Sequence, residues 1–283
     1  MACANLSRWL AAGLLALLVV GPARAAEPGP KVAVVSFGLF GDQSVFESEA
    51  NGAAKIVAER FDGAPVIVRA NTKSRSDATP ESLTAALDSA AKELDAANDI
   101  LMLILTSHGS RAGLVVKAGA REVILSPALL AAMLNQTRVR HRIVIISACY
   151  SGVFIPHLAN ENTLVITAAD SDHPSFGCQD GAQWTYFGEA LFNNAMRRAA
   201  TLREAFALAR TLVSRRERHN GFAHSNPQIA GGRNIDHLLK ATPAHAEADE
   251  EPIPEIDSAP WPVQDPAAWP RNALVPWPAQ DGP

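Results

Sequence analysis

Short, uninterrupted apolar runs constrain the fold of this chain of 283 residues more than any other feature. Four of them are pronounced and a fifth is weaker; they lie at residues 32–35, 99–106, 143–147, 164–168 and, for the weaker one, 66–68. Apolar and polar residues do not alternate in these runs, as they would in a strand with one solvated face. Continuous runs of this length are typical of parallel strands that are buried on both faces.

Segments with a helical pattern separate the apolar runs. Five of them are predicted as helices, at residues 44–61, 80–97, 127–134, 186–198 and 202–219. Strands that alternate with helices in this way predict an α/β domain with a mostly parallel central sheet, flanked by helices and joined by right-handed crossovers. Residues 113–116 and 121–125 predict a small hairpin after the third strand, and residues 227–230 predict a last strand.

The first 25 residues have the pattern of a cleaved export signal. Arg8 precedes an apolar run from Trp9 to Val20, and the small residues of Ala23-Arg24-Ala25 fit a signal-peptidase site. An uncleaved membrane anchor is the alternative, but the run is shorter than the ~20 apolar residues that span a bilayer. We therefore expect the mature protein to be periplasmic or secreted, with no membrane partner after signal cleavage.

The composition changes after the predicted folded domain of residues 26–240. Residues 241–283 contain ten of the 19 prolines and eight acidic residues against one base, Arg271. Trp-Pro pairs recur at 261, 269 and 277. This composition predicts an extended, largely disordered tail. A solvated tail is the favoured interpretation; the alternatives are that the Trp-Pro pairs bind a partner or that the tail folds back on the domain as an inhibitor.

Overall charge and cysteine content exclude several classes of partner. A formal net charge of −4 without a broad basic face argues against a nucleic-acid partner. After the signal only Cys149 and Cys178 remain, too few for a disulfide framework. We expect Cys178 to be a buried thiol of a pocket loop, with a disulfide to Cys149 as the alternative. Asp172, His173 and Cys178 lack the spacing of a metal site, so we expect neither a metal nor a cofactor.

Two of the predicted strands run directly into residues that can act together in catalysis. His108 and Gly109 follow the third strand, and Cys149 follows the fourth. If these strands are neighbours, their carboxyl ends bring an imidazole and a thiol to one edge of the sheet. A thiolate is a strong nucleophile, and a nearby histidine exchanges protons near neutral pH. The backbone N–H groups of Gly109 and Cys149 are suited to hold a developing oxyanion.

The same segments resemble the motifs of a known family. Thr106–Ser110 (T-S-H-G-S) and Ile146–Gly152 (I-S-A-C-Y-S-G) are similar to the His-Gly and Ala-Cys-x-Ser-Gly motifs of legumain-type cysteine peptidases, which have the caspase-like fold. Three later segments follow in the order and approximate spacing of that family, namely Thr167-Ala168-Ala169, Ser175-Phe176-Gly177-Cys178 and Thr185-Tyr186-Phe187-Gly188. The resemblance extends over roughly residues 31–232.

This resemblance implies a cysteine endopeptidase with a Cys-His dyad. Cys149 would be the nucleophile and His108 the general acid/base, with the Gly109 and Cys149 amides as the oxyanion hole. We therefore expect an exported, bacterial-type enzyme that hydrolyses a peptide or protein substrate through a thioester acyl-enzyme. The alternatives are a transpeptidase or ligase on the same dyad, in which an amine resolves the thioester, and a non-catalytic caspase-like binding module.

The resemblance also implies a substrate pocket that departs from the family pattern. Ser147 stands where legumain has an acid two places before the nucleophile, and Glu189 matches the acid that follows the Thr-Tyr-x-Gly motif. Ser175 is expected to bind substrate as well. A family arginine near the first helix aligns loosely with Glu47. The residue preferred before the scissile bond is accordingly either Asn or a basic residue.

Overall fold

The protein is described here by a computed structural model, which covers residues 29–241 and contains nine strands. In chain order they are β1 (Val32–Gly38), β2 (Val66–Ala70), β3 (Ile100–Thr106), β4 (Gly109–Ser110), β5 (Gly113–Ala118), β6 (Arg121–Leu125), β7 (His141–Ser147), β8 (Thr163–Thr167) and β9 (Gln228–Gly231). The predicted signal at residues 1–25 and the predicted tail beyond residue 241 lie outside the described residues.

Six of the strands form a central sheet in the order β2-β1-β3-β7-β8-β9. All neighbouring pairs are parallel except β8 and β9. This confirms the predicted α/β fold with a mostly parallel sheet. The remaining strands form a small sheet in the order β4-β5-β6, in which β5 and β6 are the hairpin predicted after the third strand.

Helices cover both faces of the central sheet. They are α1 (Ser44–Phe61), α2 (Pro80–Lys92), α3 (Pro127–Gln136), α4 (Ile155–Leu158), α5 (Tyr186–Gly188), α6 (Leu202–His219) and α7 (Arg233–Ala241). A π-helical turn and a 3-10 turn carry α5 on to Arg197, so the helix predicted at 186–198 is present but irregular. Sequence analysis does not predict α7. Within residues 29–241, no helix combines the length and apolarity that crossing a membrane requires.

Hydroxyl groups define where three of the helices begin. Thr79 accepts a hydrogen bond from the Ser82 N–H before α2, and Ser126 and Thr201 cap α3 and α6 in the same way. Each cap satisfies an N–H group that has no partner inside its helix. The helix α2 ends at Lys92 rather than at the predicted residue 97, and the chain then turns before it enters β3.

The continuous apolar runs build two cores, one on each face of the sheet. Val34 and Ile104 pack on the side of α1, α6 and α7, whereas Val35 and Leu103 pack on the side of α2 and α3. Successive side chains of a strand point to opposite faces, so both residue sets must be apolar. Each side chain buried in this way contributes roughly 1.5–3 kcal/mol.

The order of the strands creates a crevice where the functional residues gather. From β1 the chain moves outward to β2, and it then returns across the sheet to β3 on the other side of β1. In open α/β sheets, ligands bind at such a switch point, outside the carboxyl ends of the strands. The loops that follow β1, β3 and β7 meet at this edge.

Candidate active site

The sheet register brings His108 and Cys149 to the same edge. Strands β3 and β7 are parallel neighbours, with Thr106 opposite Ser147. The pairing continues for one further hydrogen bond, from the Ser107 N–H to the Ser147 carbonyl at 3.2 Å. His108 and Cys149 each come two residues after the paired positions, so the imidazole and the thiol belong to adjacent segments that leave the sheet together.

The glycine after the histidine makes close contact with the backbone of the nucleophile's segment. A Cβ on Gly109 would lie 2.2 Å from the Cys149 carbonyl oxygen and 3.2 Å from the Ala148 Cβ, so only glycine fits there. Val115 donates its N–H to the His108 carbonyl at 2.9 Å. In an antiparallel ladder this directs the next N–H, that of Gly109, away from β5. That N–H is therefore not used by the small sheet.

Aromatic side chains surround the His108 imidazole. Phe40 and Phe46 meet the ring edge to face, with centroid distances of 4.6 and 5.0 Å. Burial lowers the pKa of His108 to about 4, and the distant charge of Glu122 opposes this only in part. The imidazole is therefore neutral at neutral pH and able to accept a proton.

Gln43, at the residue before α1, determines which nitrogen of His108 is available. Its Oε1 lies 2.5 Å from His108 Nε2, and its Nε2 donates to the Cys178 carbonyl at 2.9 Å. The second bond fixes the orientation of the amide, so Oε1 faces the imidazole as an acceptor only. The proton of neutral His108 consequently resides on Nε2, and Nδ1 is left as the base.

The thiol of Cys149 is held by one residue of the loop after β8. Ser175 donates its N–H to Sγ at 3.2 Å and its hydroxyl at 3.7 Å, and the thiol donates to the Ser175 carbonyl at 3.3 Å. Burial raises the pKa of Cys149, while the hydrogen bonds from Ser175 act in the opposite direction. The raised pKa favours the protonated thiol at neutral pH.

A sharp turn follows Cys149 and anchors this loop. Tyr150 has φ 56 and ψ 17, a left-handed conformation that is uncommon for a residue with a side chain. Its N–H donates to the His173 carbonyl at 2.9 Å. A Cβ on Gly152 would lie 2.5 Å from the Asp170 carbonyl carbon, so the turn and the loop pack backbone against backbone. Backbone strain of this kind clusters at functional sites.

A fully buried carboxyl group, that of Glu49 on α1, lies at the ends of β3 and β7. It accepts hydrogen bonds from the Thr106 hydroxyl and the Thr185 N–H, both at 2.8 Å. Burial raises the pKa of Glu49, and hydrogen bonds, including one from Ser147, oppose that rise. Glu49 therefore joins α1 to the ends of β3 and β7 and to the start of α5.

Comparison with known proteins agrees with the geometry of the candidate active site. Residues 81–232 match the model of the Peptidase C13 family. The chain belongs to the Peptidase C13 family. This is the legumain family, and it makes the protein a cysteine-type peptidase. No curated protein matches the sequence.

A solved structure gives independent support for the fold of this C13 peptidase. Caspase-1 from Spodoptera frugiperda superimposes with a TM-score of 0.52 over 77% of this chain and 94% of that chain, at 15% sequence identity. At such low identity the similarity concerns the fold alone. It confirms the caspase-like fold that the motifs imply.

Five of the six predicted site positions of the C13 peptidase lie at the ends of β3 and β7 or contact the residues there. Ser175 bonds the Cys149 sulfur, and the Ser147 hydroxyl is 3.1 Å from that of Thr185. The sixth position, Glu189, is bonded within its own helical segment, where its Oε1 accepts from Asn193 and Asn194 at 2.9 and 3.2 Å. The carboxylate beside Ser147 is instead that of Glu49, which sequence analysis missed.

An arginine from outside α1, Arg75, forms an ion pair near the start of that helix. Glu47, which aligns loosely with a family arginine, forms an ion pair with Arg75 of the loop between β2 and α2, and Arg75 also lies 3.6 Å from Asp77. These residues line a cavity of about 400 Å³ together with Asn51, Val68, Arg69 and Ala70.

The structure also bears on a disulfide between Cys149 and Cys178 and on a metal site. Cys149 and Cys178 are free, so the disulfide alternative is not formed. Burial, together with the charges of Cys149 and Glu49, raises the pKa of Cys178 well above its usual value. Among residues 29–241, no three His, Cys, Asp or Glu side chains are grouped closely enough to hold a metal ion.

Proposed function

We propose that this cysteine peptidase is an exported endopeptidase that hydrolyses peptide bonds with Cys149 as nucleophile and His108 as general acid/base. The observation that carries the proposal is the backbone contact between Gly109 and Cys149, reached from adjacent strands. This contact supports the proposal because it brings the segment that carries the imidazole against the segment that carries the thiol. Acyl transfer requires a nucleophile, a base and an oxyanion site in such an arrangement.

The first half of the reaction starts from a neutral pair, because burial lowers the pKa of His108 to about 4 and raises that of Cys149. When a peptide carbonyl arrives, His108 Nδ1 takes the thiol proton and Sγ forms a bond to the carbonyl carbon. The C=O electron pair moves to oxygen, where the N–H groups of Gly109 and Cys149 stabilise it. One such donor is worth about 10²–10³ in kcat.

The second half returns the enzyme to its resting state. The imidazolium donates its proton to the departing amine as the C–N bond breaks, which leaves a thioester on Cys149. Water then attacks the thioester while His108 Nδ1 takes its proton. The C–S bond breaks, the sulfur recovers the proton, and the acid product leaves. Throughout, the Gln43 amide accepts a hydrogen bond from Nε2 and keeps it protonated, so Nδ1 remains the nitrogen that accepts the proton.

Asn is the better of the two candidate residues before the scissile bond. Ser175 offers polar groups beside the thiol, and the Ser147 hydroxyl contacts that of Thr185. Two acids of the candidate pocket, Glu49 and Glu189, are already bonded to neutral donors, Glu49 to Thr106 and Thr185 and Glu189 to asparagines. A substrate cation buried there would find no free carboxylate, and an unpaired buried charge costs more than a neutral amide.

The test is a peptide-library digest under mild reductant, read by mass spectrometry. Cys149→Ala is expected to lower kcat by several orders of magnitude, and His108→Ala to lower it strongly, while circular dichroism shows both folded. An iodoacetamide label should persist in Cys178→Ser and vanish in Cys149→Ala. Turnover by folded Cys149→Ala at the wild-type rate would refute the assignment. Products joined to an added amine, in place of hydrolysed ones, would favour the ligase alternative.

Export rests on the pattern of residues 1–25. Expression of the full chain in a bacterial host should give a protein that begins at residue 26 and is released with the periplasmic fraction. Retention of the intact amino terminus in the cytoplasm would contradict this part of the proposal.

A further inference from the structure

A cationic groove lies between α6, the loop that follows β8 and the loop that precedes β9. Its volume is about 550 Å³, and it is lined by His173, Arg210, Ser214, Arg218, His224 and Asn226. The side chains of both arginines and both histidines are exposed. The groove lies outside the set of residues that perform the proposed chemistry.

The two guanidinium groups of the groove are free to bind a ligand. Arg210, Ser214 and Arg218 are spaced by four residues, so they lie on one face of α6 over about 12 Å. Within residues 29–241, neither Arg210 nor Arg218 has an ion-pair or side-chain hydrogen-bond partner, whereas Arg203 on the same helix pairs with Asp236.

The acids beside the groove are already engaged. Asp170 accepts from His173 Nδ1 at 2.7 Å and from the Asn226 amide at 2.9 Å. The side chain of Glu217 is 1% exposed and accepts from the Ser225 N–H at 3.1 Å, with His224 Nδ1 3.4 Å away. These carboxylates therefore fix the walls of the groove through their own hydrogen bonds, and neither of them forms a direct ion pair with the groove's arginines.

The groove adjoins the nucleophile through the loop after β8. The carbonyl of His173 accepts from the Tyr150 N–H, one residue after Cys149. Ser175, two residues after His173, bonds the Cys149 sulfur. A peptide whose scissile carbonyl is at Cys149 therefore has neighbouring residues within reach of the groove.

We propose that the cationic groove binds the carboxylate of an Asp or Glu side chain in the substrate, a few residues from the scissile bond. The proposal rests on the peptidase function above and adds a specificity element to it. Guanidinium groups match carboxylates in geometry as well as in charge, and the Ser214 hydroxyl provides a further donor between them.

The experiment compares matched peptides that carry Glu or Gln at each position on both sides of the cleaved bond. Wild-type enzyme should show a higher kcat/KM for Glu at one or two adjacent positions. Arg210→Gln and Arg218→Gln should each lower that preference about threefold to fivefold, mainly through KM. The preference should also weaken as salt is raised. Arg215→Gln, an exposed arginine of α6 outside the groove, is the matched control and should leave it unchanged.

The proposal fails if wild-type enzyme makes no distinction between Glu and Gln, if the preference survives in the Arg210→Gln/Arg218→Gln double variant, or if Arg215→Gln abolishes it equally. A Glu preference that emerges only after removal of residues 242–283 would assign the groove to the chain's own acidic tail instead.

A binding measurement separates this inference from the proposed function. If no peptide is cleaved in a Cys149-dependent way, the peptidase mechanism fails, but the groove is still tested by fluorescence anisotropy. Fluorescein-labelled Glu peptides should bind Cys149→Ala protein more tightly than their Gln counterparts, and the double arginine variant should lose the difference. Equal binding of both peptides overturns the groove assignment.

Discussion

Adding one methyl group at Gly109 tests how closely the two catalytic segments are packed. In Gly109→Ala the new Cβ would lie 2.2 Å from the Cys149 carbonyl oxygen. Carbon and oxygen atoms in close contact are about 3.3 Å apart, so the two backbones must separate by about 1 Å. A displacement of about 1 Å at a reacting group can cost 10²-fold in rate. Overpacking of a dense region also costs about 1–3 kcal/mol of stability.

The assay is steady-state cleavage of the best library peptide, together with urea unfolding. We expect Gly109→Ala to lose about two orders of magnitude in kcat while remaining folded. Gly221→Ala is the control, because Gly221 has φ +69 but no atom within 4 Å of the added Cβ. That variant should lose about 1 kcal/mol of stability through backbone strain and keep its kcat. Wild-type kcat in Gly109→Ala would refute the argument that this contact sets the geometry of the dyad.

Two further predictions concern the buried ionisable groups. Because His108 must be unprotonated to act as a base and its pKa is lowered to about 4, the acid limb of the kcat/KM profile should lie near pH 4; a limb near the usual histidine pKa would contradict the burial argument. Glu49→Ala leaves the Thr106 hydroxyl and the Thr185 N–H without their acceptor, so urea unfolding should show a loss of about 1–3 kcal/mol, partly restored in Glu49→Gln. Equal stability of wild type and Glu49→Ala would contradict this role.

Most of the fold could be predicted because its signals are local. The apolar run at 99–106 is buried on both faces as β3, and hydroxyl caps mark the starts of α2, α3 and α6. The irregular continuation of α5 could not be predicted. There the Asn194 side chain donates to the Glu189 carbonyl at 2.9 Å, a bond that competes with the regular helix pattern at the π-helical turn.

In the candidate site, too, some residues are indicated by local sequence, whereas others depend on contacts between distant parts of the chain. The sequence indicates His108 and Cys149 as candidates because each comes two residues after the end of a buried strand. Gln43 and Glu49 could not, because they meet His108 and Thr106 from 65 and 57 residues away in the chain. The signal for Glu49, a single acid at a buried position of α1, is too weak to recognise without the tertiary structure. Glu189 matches a motif, yet its carboxylate is bonded within its own helical segment.

The match to the family model includes some of the candidate-site residues and omits others. Residues 81–232 include His108 and Cys149, whereas Gln43 and Glu49 come earlier in the chain. Both predicted catalytic residues therefore lie inside the matched region, whereas the side chains that bond to His108 and to Thr106 come from the loop before α1 and from α1. The switch point of the sheet explains why: β1 lies between β2 and β3, so the loop after it opens onto the same edge as the loop after β3. A change confined to that loop can alter proton transfer and pocket polarity while both catalytic side chains stay in place.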